Sequence, residues 1–247
     1  MKDLAVIVPA RNEERLLPGL LRALAAQRDR EFTLVLVDNG STDRTATLAR
    51  ECPLDVEVIF EADPGTGTAA DTGFRHAIAG GATLLARTDA DCLPAPDWTA
   101  TARRYLTGGA EMVCGRSVPR RDEQPNLLER YAYPAAVRTA ALYGRWRRAH
   151  RRPEFRTPFV LVHGHNLALT AGLYHRSGGT PRERLIDGSE DVTLLNRCRR
   201  ATDRIVRAED LVVESSLRRL RAWGPRRTLL WHWDRRYRPA PEAVDVR

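Results

Sequence analysis

Four short apolar runs, at residues 4–8, 33–37, 56–60 and 83–86, punctuate the first third of the chain, and helical patterns fill the gaps after the first three. Runs of this length bounded by polar clusters read as strands, and strands alternating with helices imply a parallel sheet. The spacing predicts a first helix over residues 13–27, with Asn12 as its N-cap and Leu16, Leu17, Leu20, Leu21 and Leu24 along one face. A second helix is expected from Ser41-Thr42-Asp43, where hydroxyl and carboxylate groups can satisfy free amides and complement the dipole of the first turn.

Beyond residue 91 the pattern loosens. Pro94 and Pro96 lead into a helix expected near 98–105, and Met112-Val113-Cys114 reads as a short strand. The Arg-, Pro- and Tyr-rich segment from about 120 to 158 fits either a helix pair or a mobile insertion. Residues 159–162 read as another strand, Ser189 as the cap of a helix running to about Arg200, and 205–213 as a final strand pair. From Ser216 the chain becomes a basic, aromatic tail.

Composition narrows the class. At 247 residues, with 43% hydrophobic and 29% charged positions, the chain can bury a substantial core and is not a disordered polymer. No apolar stretch approaches the roughly 20 residues that span a bilayer, and Met1-Lys2-Asp3-Leu4 opens into a strand without a signal-peptide pattern. The expectation is a cytoplasmic protein. Four widely spaced cysteines, Cys52, Cys92, Cys114 and Cys198, form no Cys-x-x-Cys pair and point to isolated reduced thiols rather than a zinc ribbon or disulfide framework. The net charge of +8 is carried almost wholly by arginine and is compatible with base composition or with an anionic substrate or surface.

Chemistry concentrates where the predicted strands end. Their carboxyl ends run into Pro9-Ala-Arg-Asn-Glu-Glu14, Asp38-Asn-Gly-Ser-Thr-Asp43, Glu61-Ala-Asp-Pro-Gly65 and Asp89-Ala-Asp91. Ligands of open α/β sheets bind at that edge, so the four clusters should converge on one pocket. Asp89 and Asp91, one residue apart, suit Mg²⁺ or Mn²⁺, hard cations held by one or two carboxylates with phosphate oxygens and water completing the shell.

The segments VIVPARNEE (6–14), VDNGSTDRT (37–45), GTGTAADTGFRHA (65–77), TDADC (88–92), GHNLAL (164–169), GG (178–179) and SEDVTLLNR (189–197) together resemble the family 2 glycosyltransferases of the GT-A fold. The resemblance covers roughly residues 1–215. It implies an α/β fold with a mainly parallel central sheet flanked by helices and a Rossmann-like N-terminal half. It divides the chain into a nucleotide-binding half, 1–92, an acceptor-binding half, 93–215, and a tail, 216–247.

The resemblance also implies roles. Pro9, Ala10, Arg11 and Glu13 match the loop that wraps base and ribose, and Asp38 the carboxylate that reads the base edge. Gly67 and Asp71 fall in the loop that flanks the nucleotide. Asp89 and Ala90 face the donor, with Asp91, and Asp89 beside it, at the metal. Asp191 matches the general base that deprotonates the acceptor hydroxyl, with Glu190 beside it as a helix-start charge or an acceptor contact. The implied reaction is an inverting, metal-assisted sugar transfer from a nucleoside-diphosphate sugar, UDP favoured over GDP or dTDP. Its acceptor is a small molecule, a glycan or a lipid-linked carrier.

Some positions depart from that pattern or extend it. Asn39 and Asp71 stand where relatives commonly have an acid and an Asn, and Thr68-Ala69-Ala70 lacks a basic residue often found nearby. His163 and His165, two apart on an expected strand, would share a side toward acceptor or metal; His232 is a rival metal ligand. Ser216, Arg218 and Arg219 could hold acceptor phosphate. The Arg–Trp tail reads either as a peripheral contact at the inner membrane face or as a helix packed on the core or on a second subunit, giving a homodimer. A nucleotidyltransferase would need a Gly-rich loop ending in Arg or Lys after the first strand, which is missing. A nucleic-acid-binding protein fits the charge but none of the known modules, so no nucleic-acid partner is expected. A non-catalytic nucleotide-sugar-binding relative is disfavoured by the intact Asp89, Asp91 and Asp191.

Overall fold

A computed structural model of the chain describes residues 1–132, 135, 137–139, 151–182, 190–218 and 220–224. Its strands are β1 (Leu4–Ala10), β2 (Phe32–Asp38), β3 (Val56–Phe60), β4 (Leu84–Arg87), β5 (Leu93–Pro94), β6 (Met112–Pro119), β7 (Leu167–Thr170) and β8 (Ile205–Ser215). They form one sheet in the order β3-β2-β1-β4-β7-β6-β8-β5. The first four strands are parallel to one another, and β7 enters antiparallel between β4 and β6. The helices are α1 (Leu17–Ala25), α2 (Thr45–Arg50), α3 (Thr66–Ala79), α4 (Trp98–Thr107), α5 (Ala171–Ser177) and α6 (Glu190–Ala201), with a π-helical turn at Leu128–Ala132.

Period-two alternation sends the apolar side chains of the central strands to both faces. Leu4, Val6, Val8, Leu34 and Leu36 pack with α1 and Trp98 on one face. Ala5, Ile7, Val35 and Val37 pack with Phe74 of α3, Leu173 of α5 and Leu194 and Leu195 of α6 on the other. Gly73 lets α3 lie close on the sheet, because a Cβ there would stand 2.7 Å from Ile7 and 2.8 Å from Val37.

Several local expectations change. Asn12 is not a helix cap: it adopts φ 55° and turns toward the second loop, donating its N–H to Ser41 Oγ and accepting from the Thr42 N–H at 2.8 Å. The helix begins only at Leu17, with Pro18 in its first turn, where a missing N–H costs nothing. Likewise α2 begins at Thr45, and Asp43 serves it from outside by accepting the Thr45 N–H at 2.9 Å. Residues 159–162 form no strand, although Phe159, Val160 and Val162 are buried; the ladder is made by β7 instead.

The expected pair at 205–213 is one long strand whose register against β6 breaks between Gly115 and Arg116. Asn166 fills that break, donating to the carbonyls of Arg116 and Leu211 and accepting from the Trp98 indole N–H at 2.9 Å. Of the 120–158 segment, residues 133, 134, 136 and 140–150 lie outside the described residues, as do Ser189, Arg219 and the tail beyond 224, with His232. Among the described residues no helix is long and apolar enough to cross a membrane.

Candidate active site

Parallel pairing of β1, β2 and β4 brings their carboxyl ends to one edge, with Ala10 opposite Asp38 and Ile7 opposite Arg87. Pro9 and Ala10 are buried at the end of β1, and Arg11 is exposed. The half-buried Asp38 uses one oxygen to accept the Ser41 N–H at 3.0 Å. Asn39 acts as a clamp: its amide donates to the carbonyls of Glu61 and Asp63 at 2.9 and 2.8 Å, and its oxygen accepts the Gly65 N–H at 2.8 Å. An aspartate could not make the two donations.

At the end of β4 the fully buried Arg87 lies beside Asp89, with Nη2 at 3.3 Å, and 3.7 Å from Glu190 at the start of α6. Burial works against its charge, yet Asp89, Glu190 and Asp191 outweigh it and hold its pKa above the ordinary guanidinium value. Ala90, between the two aspartates, is buried. Asp91 is met by Arg218 at 3.2 Å, and its loop is braced by Arg120, whose Nη1 donates to the Asp91 carbonyl at 3.0 Å. Arg218, expected from sequence to contact the acceptor, thus reaches the carboxylate of Asp91. It also forms a bidentate pair with Glu13. Burial nevertheless pushes the Glu13 carboxyl up to about 7, against Arg218 and with help from Asp91 and Asp89.

On the opposite flank, the Asp191 carboxylate accepts the Gly164 N–H at 3.2 Å and the Val192 N–H at 2.7 Å. His163 and His165 sit in a turn rather than a strand, yet their rings stack at 5.3 Å. His165 Nε2 lies 2.9 Å from Ser117 Oγ, which meets Ser215 Oγ at 2.8 Å. Ser216 accepts the Arg218 N–H. Gly67, at the start of α3, packs against Glu190, whose Cβ a side chain there would approach to 3.1 Å.

Asp71 is engaged by other side chains. It is wholly buried, and its carboxylate accepts from Arg75 at 2.7 Å, Tyr174 at 2.6 Å and Arg182 at 3.3 Å. Arg182 also bonds Glu61 at 2.9 Å, so Asp71 ties the β3–α3 loop to the segment leading toward α6.

A divalent cation fits the donor set offered by Asp89 and Asp91. Both are partly exposed carboxylates, and a hard ion that completes its shell with diphosphate oxygens and water needs no more from the protein. Among the described residues no group of three acids, histidines or cysteines is placed to cage a metal.

Residues 5–174 match the model of glycosyl transferase family 2. The chain belongs to that family. It is 31% identical over 182 residues to an uncharacterised glycosyltransferase of Mycobacterium tuberculosis, an alignment covering 73% of this chain and 76% of the relative. It is 30% identical over 168 residues to the undecaprenyl-phosphate 4-deoxy-4-formamido-L-arabinose transferase of Pectobacterium carotovorum, covering 62% of this chain and half of that protein. The mannosyltransferase PcManGT of Pyrobaculum calidifontis, solved with GDP-Man and Mn²⁺, superposes with a TM-score of 0.65 at 24% identity, over 98% of this chain and 67% of that one. S. aureus TarS 1–349, solved with UDP-GlcNAc, superposes at 0.60 with 18% identity, over 87% of this chain and 58% of TarS 1–349. These likenesses establish the GT-A fold.

In this family 2 glycosyltransferase the residues that sequence reasoning missed are arginines. Arg87 and Arg120 carry no motif of their own, and Arg218 was noticed for a different partner. Two signals were available: Arg87 interrupts an otherwise apolar strand end, and a buried arginine requires a carboxylate.

Proposed function

We propose that this glycosyltransferase moves a sugar from a nucleoside-diphosphate sugar, UDP favoured, to an acceptor hydroxyl with inversion. The observation that carries the reading is the gathering at one sheet edge of Asp38, the Asp89–Asp91 pair and the Glu190–Asp191 helix start. Asp38 and the loop of Pro9, Ala10 and Arg11 hold base and ribose. Mg²⁺ or Mn²⁺ bound at Asp89 and Asp91 supplies charge that offsets the charge developing on the departing diphosphate. Asp191 takes the acceptor proton as the acceptor oxygen attacks the anomeric carbon from the face opposite the nucleotide, and the diphosphate leaves with the bonding pair. Asp71 serves as a positioning residue rather than a nucleotide contact, since its carboxylate is wholly engaged.

A lipid-linked acceptor is supported by the Pectobacterium relative, an undecaprenyl-phosphate sugar transferase, and a protein peripheral at the inner membrane face would serve it. The test is thermal shift against UDP, GDP, dTDP and their sugars, with and without Mn²⁺. One nucleotude class should raise the melting temperature by several degrees only with Mn²⁺, following the mass-action stabilisation of a bound ligand. No rise with any of them overturns the reading. Asp191→Asn should keep that shift and lose about 10²–10⁴ in nucleoside-diphosphate release; unchanged turnover removes Asp191 from the role of base.

A further inference from the structure

We propose that Arg87 is a positioning residue that joins the donor and acceptor halves of the site, one guanidinium holding Asp89 on one flank and Glu190 on the other. The inference rests on reading Asp89 as part of the cation seat and Asp191 as the base. Its support is geometric. Arg87 ends β4, the strand that delivers Asp89, and Glu190 opens α6, the helix that delivers Asp191. The guanidinium stands 3.3 Å from the first carboxylate and 3.7 Å from the second.

Two glycines shape the surroundings of this contact. A Cβ on Gly164 would stand 3.3–3.5 Å from three guanidinium atoms, and one on Gly67 would press Glu190 from its other side at 3.1–3.3 Å. Gly164 meanwhile donates its N–H to Asp191 at 3.2 Å. The loop that leaves room for Arg87 thus also orients the base. Nη2 faces both acids while Nε also turns to Asp89 at 3.4 Å, a directed arrangement that the point charge of lysine lacks. A buried arginine is costly to desolvate, and a hydrophobic residue would pack this strand end more simply. What the arginine adds is a fixed relation between the two carboxylates.

The experiment is a double-mutant cycle on Mn²⁺ affinity, read by electron paramagnetic resonance of free Mn²⁺ with saturating UDP, and again with GDP. The proteins are the full chain, Arg87→Met, Glu190→Gln and the double variant, each first shown to melt cooperatively. In the wild-type background, Glu190→Gln releases Arg87 toward Asp89, and Mn²⁺ binding should weaken at least threefold. In the Arg87→Met background the same change should alter it less than 1.5-fold, because the connecting cation is gone. If Arg87→Met does not fold, Arg87→Gln, which also removes the charge, takes its place with the same expected loss of coupling. Equal ratios in the two backgrounds overturn the proposal, since a merely structural arginine lowers the melting temperature without linking the two acids. If neither nucleotide brings Mn²⁺ to the wild-type protein, the nucleotide-sugar reading falls and this inference with it.

Discussion

Glu13 shows at the scale of one residue how the edge of the sheet trades desolvation against pairing. It is paired with Arg218, yet burial raises its carboxyl from 4.5 to about 7. A folded-state pKa above the unfolded one means that the native protein holds the proton more tightly. The resulting stability is complete below about pH 4.5 and disappears as pH rises through about 7. Relative to Glu13→Gln, which keeps the shape without the titration, the wild-type protein should lose on the order of 1–3 kcal/mol across that window. Urea unfolding of both proteins without added metal from pH 4.5 to 8 measures it, and parallel curves would reject the assignment. Motif order singled out Glu13 itself as a candidate site residue. Its partner was not, because Arg218 lies 205 positions away and only the closed fold brings the two together.

Among the elements, the first strands were legible because continuous apolar runs leave few alternatives, and their parallel pairing followed from the alternation with helices. The helix starts were not. Asn12, Ser41 and Asp43 are good capping types, but each bonds across to the other's loop, Asp43 also to Thr45, and the helices begin two to five residues after those side chains. The strand expected at 159–162 failed for a related reason: apolar side chains can fill a core without joining a ladder. Asn39 is the clearest case of a loop built by one side chain. Asn39→Asp would replace two donations by carboxylate-to-carbonyl repulsion and loosen the turn at Asp63 and Gly65. It should cost about 1–3 kcal/mol, with faster amide exchange at residues 61–65 than in the wild-type protein. Unchanged stability and exchange would show that the clamp is dispensable.

For the molecule as a whole, the question is where the folded body stops. Composition changes at Ser216, where the chain turns basic and aromatic, but packing continues past that point. Leu217 and Leu220 are buried. The Leu217 N–H donates to Glu123, and Arg221 holds Glu129 and the Glu123 carbonyl. With Arg218 on Glu13 and Asp91, Leu217, Arg218 and Arg221 join the segment after β6 to the carboxyl ends of β1 and β4. Charge patterning could not reveal this, because the same arginines that suggest a solvated or lipid-facing tail are paired with carboxylates of distant segments, Arg218 with the buried Glu13 and Arg221 with Glu129. Two truncations separate the readings. Ending the chain after Ser216 should leave it less stable than ending it after Gly224 by about 4 kcal/mol or more, since two buried leucines are removed at about 2–5 kcal/mol each along with their ion pairs. The shorter protein should also show a larger high-pH penalty at Glu13, because burial, the larger cause, persists while the opposing Arg218 is gone. Equal melting temperatures for the two truncations would mean that 217–224 only decorates the body, and membrane-binding assays could then cut at Ser216 without disturbing the site.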